Sequence, residues 1–142
     1  MNKKILYTQP DDMVVVVSIA PGASVDAVIS SLPTKQYVVV DESSMPSEED
    51  QKYFITALSI VGGEVVVDLS KAKQVTKDLL RRVRTSLFNQ NDLDLRDAML
   101  SGQQSLIEQY VLQRDVLRNL PQQADGANSV TELKQLLVDN NG

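Results

Sequence analysis

A change of hydrophobic period at residue 70 constrains this chain more than any other feature of its sequence. Before that point the apolar residues come in short β-branched runs, at residues 3–7, 13–19, 37–41 and 64–69. Runs of this length and type read as strands, and 13–19 is continuous enough to have both faces covered. Beyond residue 70 the apolar positions step by three and four: Ala72, Val75, Leu79, Val83 and Leu87, then Leu106, Tyr110, Val111 and Leu117. That is the period of a helix with one buried stripe. The chain therefore divides into a small α+β module, residues 1–69, and a helical hairpin or arm, residues 70–142. The expected fold class is α+β: a small N-terminal, mostly antiparallel sheet with one short helix, then a C-terminal helical hairpin and a short terminal helix.

Local signals place the boundaries. Gln9-Pro10-Asp11-Asp12 has turn chemistry, because Pro fixes φ and Asp bonds its own backbone. Pro21-Gly22 ends the second run, and Ser24 can cap a two-turn helix carrying Val25, Val28, Ile29 and Leu32 before Pro33. Gly62-Gly63 marks a hairpin. Residues 53–60 fit both alternation and helical spacing, so their pairing with 64–69 stays open; Pro46-Ser47-Glu48-Glu49 is typical of a loop or a helix start, and Glu48-Glu49-Asp50 reads as a solvated charge run in a loop. In the second half Ser70 is the expected cap of a helix reaching about residue 89. Residues 89–92 then form a polar turn and 94–100 a short helix closed by Gly102. A helix over 103–120 stops at Pro121, residues 122–128 form a loop, and Ser129-Val130-Thr131-Glu132 has the spacing of a capping box opening a helix over 130–138. Residues 139–142 should fray.

The chain has no Cys and no His. Disulfides, thiolate metal sites, cysteine nucleophiles, imidazole general bases and Ser-His-Asp triads are all removed by those two absences. No GxxxxGK[ST] or GxGxxG pattern is present, and Gly62-Gly63 is no phosphate loop. The expectation is a chain that is not an enzyme and takes no cofactor. No apolar run approaches the length of a membrane span or of a signal-peptide core, so no membrane association is expected. The net charge of −5 is uneven: residues 1–68 hold four Lys and ten Asp/Glu, whereas residues 69–142 hold ten Lys/Arg and nine Asp/Glu. An acidic whole makes a nucleic-acid partner unlikely, since phosphate binding needs a basic face.

Three constellations carry possible chemistry. Lys73, Lys77, Arg81 and Arg84 fall within an arc of about 80° on a helix and form the sharpest charged stripe. Such a stripe either meets an acidic partner or phosphate, or is a solvated face. Tyr110, Arg114 and Arg118 share a face at i, i+4 and i+8, and both residue types are frequent interface anchors. These seven residues are the candidate partner-binding set. Asp92, Asp94 and Asp97 could suggest a hard-cation site, but the Gly and distal Glu of a calcium loop are missing. Their simpler reading is helix capping by Asp92 or Asp94, with Asp97 in the first turn. No metal is expected.

Lys3-Lys4-Ile5-Leu6-Tyr7-Thr8-Gln9-Pro10-Asp11, Val38-Val39-Val40-Asp41 followed by Met45-Pro46-Ser47, and the GEVVVDLSK segment at 63–71 follow one another along the chain. Arg81-Arg82-Val83-Arg84, the 113–121 segment QRDVLRNLP and residues 129–138 complete the set. In this order the features resemble a family of small proteins encoded beside tail and tail-fibre genes in tailed phages and prophages. Asn119 stands where the family usually has an acid, and the family's aromatic residues are thinned here. The resemblance implies a tail-associated structural or assembly (chaperone-like) role exerted by protein–protein binding. It further implies other phage structural proteins of the tail or tail fibre as partners, with homo-oligomerisation open, and a location in the virion or in the host cytoplasm during assembly. A small acidic module also suits an alternative, a phage regulatory or anti-defence protein that binds a host protein.

Overall fold

The computed structural model describes residues 2–141. It contains strand β1 (Lys3–Thr8), β2 (Val14–Ser18), helix α1 (Val25–Ser30), β3 (Val38–Asp41), α2 (Glu48–Phe54), β4 (Leu58–Val61), β5 (Glu64–Val67), α3 (Leu69–Leu100), α4 (Gln104–Arg118) and α5 (Val130–Asn141). The fold is α+β, as the period change implies. Two compact units result, one ending at Ala72 and the other beginning at Lys73.

In the first unit β1 is the centre of an antiparallel sheet ordered β2-β1-β3, with Leu6 opposite Val16 and Val38. Strands β4 and β5 form a separate antiparallel hairpin, Leu58 opposite Val67. Gly62 and Gly63 form its turn with φ of 60° and 81°, the left-handed pair that matches strand twist. One face of the three-stranded sheet, through Leu6, Val16, Val38 and Val40, packs with Met45 and the hairpin residues Leu58, Ile60, Val65 and Val67. Ile5, on the opposite face of β1, is fully buried too. Residues 53–60 resolve into both expected forms: the end of α2, a 3-10 turn at Ile55–Ala57, and the start of β4. The acidic run 48–50 is not a loop. Ser47 caps α2 by accepting the Asp50 N–H at 3.1 Å, which puts all three carboxylates in the first turn where the helix dipole favours them.

The start of α3 differs from expectation by two residues. Asp68, not Ser70, is the cap: its carboxylate accepts the Lys71 N–H at 3.0 Å and the Ser59 hydroxyl at 3.2 Å. The Lys71 N–H holds the Asp68 carboxyl below its ordinary value of 3.8; burial opposes this, and Ser59, the Lys71 charge and the Ser70 N–H add to it. Lys71 then turns back, and its ammonium donates to the carbonyls of Leu58 (2.9 Å) and Asp12 (2.6 Å), tying the first turn of α3 to β4 and to the β1–β2 turn.

Helix α3 runs unbroken through 89–92, correcting the expected turn. No Gly or Pro occurs between residues 64 and 101, and without a breaker a polar stretch stays helical when its side chains find partners. Gln90 donates to Asp94 along the helix at 2.9 Å, and Asn91 reaches across to α4. The capping roles expected for Asp92 and Asp94 are overturned with the turn. The end at Gly102 is as expected: φ is 67°, and Gln103 and Gly102 donate to the carbonyls of Ala98 (3.1 Å) and Met99 (3.2 Å) in a Schellman closure. Pro121 opens a 3-10 segment, Pro121–Gly126, where a loop was expected. Ser129 accepts the Glu132 N–H at 3.2 Å and starts α5, which extends to Asn141 instead of fraying at 139; residue 142 lies outside the described residues. The buried side chains of the second unit include Leu80, Leu117, Leu120, Ala124, Leu133 and Leu137.

Candidate binding surface on the helical hairpin

The buried stripe of α3 is Ala72, Thr76, Leu80, Asn91 and Ala98; Ala72 is buried as expected, and beyond it the stripe runs one position round from the expected Val75, Leu79, Val83 and Leu87. A small or polar residue can occupy a seam if it packs closely or is hydrogen-bonded, and Asn91 is both. It is 1% exposed. Its amide donates to the Tyr110 carbonyl and to Gln113 Oε1, each at 3.0 Å, and its oxygen accepts from Arg114 at 3.1 Å. Every polar atom of the side chain thus has a partner, and α3 and α4 are joined in one register.

The expected partner-binding residues converge on this same machinery. Lys73 donates to the Asp125 carbonyl at 3.2 Å and Lys77 pairs with the Asp125 carboxylate at 2.5 Å, so both fasten the 3-10 segment. Arg81 pairs with Asp78 one turn away at 2.7 Å. Arg84 donates to the Arg118 carbonyl at 3.1 Å and lies over the Phe88 ring, 5.9 Å from its centroid. Arg114 covers the same ring at 5.5 Å and also pairs with Asp92. Arg118 pairs with Asp115 at 2.9 Å. Tyr110 is half-buried, and its carbonyl is one of the Asn91 acceptors. The structure brings Arg84, Tyr110, Arg114 and Arg118 together around Asn91 and Phe88, and sets Lys73 and Lys77 at Asp125. The stripe is spent largely on the chain's own acceptors.

Outside this network the hairpin shows another chemistry. Leu87, Leu93, Met99, Leu100, Val111, Leu112 and Val116 are all exposed, Leu100 by 81% and Leu112 by 67%. Leu93 and Leu100 lie seven residues apart on the face of α3 turned away from Asn91. Leu112 and Val116 lie one turn apart on the corresponding face of α4. Val111 was expected in the buried stripe and is exposed instead, because Tyr110, Arg114 and Leu117 take the seam. From sequence, Leu87 and Val111 were expected in buried stripes and the other five carried no expectation, although Leu112 and Val116 visibly sit off the Leu106–Tyr110–Leu117 stripe. Asn91 left no such signal in the polar run Asn89-Gln90-Asn91-Asp92.

Among the described residues no group of three or more His, Cys, Asp or Glu could hold a metal ion. Among the described residues no helix is long and apolar enough to cross a membrane. Compared with family models, with curated proteins and with solved structures, the chain matches none.

Proposed function

We propose that the protein is a tail-associated structural or assembly protein of a tailed phage, acting by protein–protein binding, with the α3–α4 hairpin as its binding element. The observation that supports this most is the seven large apolar side chains left in solvent between Leu87 and Val116, on a hairpin whose charged side chains are mostly paired within the chain. A helix pair that needed only to fold would put polar residues there; instead α3 and α4 each carry apolar residues on an outward face, which supports a role in binding. The ordered resemblance to tail-associated proteins supplies the kind of partner.

Peptide mass spectrometry on purified particles of the encoding phage tests the reading, together with affinity capture from infected cells. Stoichiometric peptides in particles, or co-purification with tail or tail-fibre proteins during assembly, is the expected result. A double variant, Leu112→Glu with Val116→Glu, should keep the helical circular dichroism and lose the association. Absence from particles combined with capture of one host protein would replace this reading by the host-directed binder.

A further inference from the structure

Strand β3 is an edge of its sheet, and the phase of its hydrogen bonds is fixed. Glu42 N–H donates to the Asn2 carbonyl at 2.9 Å, and Lys4 and Leu6 stand opposite Val40 and Val38. Bonded pairs recur every second residue in an antiparallel ladder, so the even-numbered residues of β3 are the ones that bond β1. The Gln9–Met13 bond at the β1–β2 turn gives the matching answer, since it leaves residues 5 and 7 of β1 to bond β2. The backbone N–H and C=O of Tyr37 and Val39 and the N–H of Asp41 therefore point away from the ladder, and among the described residues they have no partner, while the Asp41 C=O opens the 3-10 turn Glu42–Ser44.

This edge lacks the usual protections. The strand is short, but it contains no Pro, no Lys and no bulge. Val39 is 38% and Tyr37 39% exposed. Open clefts of about 610 and 430 Å³ flank it, the first bordered by Lys35, Tyr37 and Val38, the second by Val39, Asp41 and Glu64.

We propose that β3 pairs with β3 of a second copy of this chain, antiparallel about a two-fold axis at Val39, making one sheet of order β2-β1-β3-β3-β1-β2 across the two copies. Only an extended strand satisfies outward-pointing ladder groups. The sequence of this strand suits itself: centring on Val39 sets Val39 against Val39 and Tyr37 against Asp41, which are the residues that carry the free groups. On the opposite face Val38 meets Val40. No like charges stand opposite each other, since Asp41 faces Tyr37. An edge this short buries far less than the roughly 1,200 Å² of a stable interface, so the dimer is weak.

Sedimentation between about 10 μM and 1 mM, a range suited to weak association, reads the monomer–dimer equilibrium. Hydrogen exchange at the Val39 amide reads the contact itself. The expected result is a dimer at the upper concentrations with Val39 protection rising in step. Val39→Pro removes an N–H that has no partner within the chain, so the monomer should keep its sheet while the dissociation constant rises at least about tenfold. Should that variant fail to fold, Val39→Lys decides: it keeps the N–H, sets two ammonium groups against each other at the axis, and should weaken the dimer in a salt-dependent way. A monomer throughout the range, an unprotected Val39 amide in the dimer, or a dimer that survives Val39→Lys would overturn the proposal.

Discussion

Replacing Asn91 by Ala probes the polar seam of the hairpin directly. The wild-type amide makes two bonds to neutral acceptors and receives one from a guanidinium. Neutral bonds of this kind contribute about 1 kcal/mol each, and one to a charged group about 1.5–3 kcal/mol. The full sum is not lost, because Arg114 keeps Asp92 and Gln113 is exposed enough to find water. The Tyr110 carbonyl, deep in the seam, keeps only its helical donor, and a small void replaces the amide. These considerations give a loss of ~2–3 kcal/mol. With a urea slope of roughly 1–3 kcal/mol per molar, the midpoint of urea unfolding should fall by about 1 M or more at an unchanged slope. Asn91→Leu is the informative companion. It fills the space with apolar atoms and leaves Arg114 on Asp92, so its stability should lie within about 1 kcal/mol of wild type, while the fixed register of α3 against α4 is lost. That loss should show as broadened amide resonances along residues 104–118. An Asn91→Ala change below about 0.5 kcal/mol would refute the reasoning, since the seam would then be held by packing alone.

Other perturbations test single elements. Asp68→Ala should cost about 1–2 kcal/mol at neutral pH, read by thermal or urea unfolding. Because the folded carboxyl titrates below its ordinary value of 3.8, the advantage of wild type over that variant is complete above that pH. It disappears as the pH falls through the lowered folded value, and a difference that instead grew in acid would contradict the cap. Gly63→Ala meets no atom within 4 Å, so its whole cost is the φ of 81°, about 1–2 kcal/mol in equilibrium unfolding. Leu58→Ala empties part of the sheet–hairpin core and should cost about 2–5 kcal/mol. Lys77→Ala removes a surface pair with Asp125 and should cost less than about 1 kcal/mol; a larger loss would make Asp125 a structural anchor of the 3-10 segment.

The fold class was legible because it rests on periodicity. Short β-branched runs closed by Pro10, Pro21-Gly22 and Gly62-Gly63 leave little choice but strands, and all four of those expected form, while the fifth, Leu58–Val61, comes from the segment left open. Ser24, Gly102 and Ser129 also act where their chemistry puts them, since capping is a local property. What failed to show was tertiary. Asn89, Asn91 and Asp92 are weak helix formers that favour turns, and the reach of Asn91 to Tyr110 and Gln113, which sequence cannot show, helps to keep them helical. The basic stripe was real as geometry, but sequence cannot reveal that Asp125, forty-eight residues beyond Lys77, lies within reach of its ammonium. The same ignorance hid the exposed pair of α3: Leu93 and Leu100 look like core residues until the seam is known to run through Asn91, whereas Leu112 and Val116 already sit off the Leu106–Tyr110–Leu117 stripe.

Lys71 gives the first unit a chemical clock. Its amine is committed to two carbonyls and a nearby carboxylate, whereas Lys35 is not tied down in this way. The Lys71 amine must give up these bonds before it can attack an acylating reagent, so it should be labelled more slowly than Lys35 in the same digest. The ratio of the two rates therefore reads how often that side chain leaves its carbonyls.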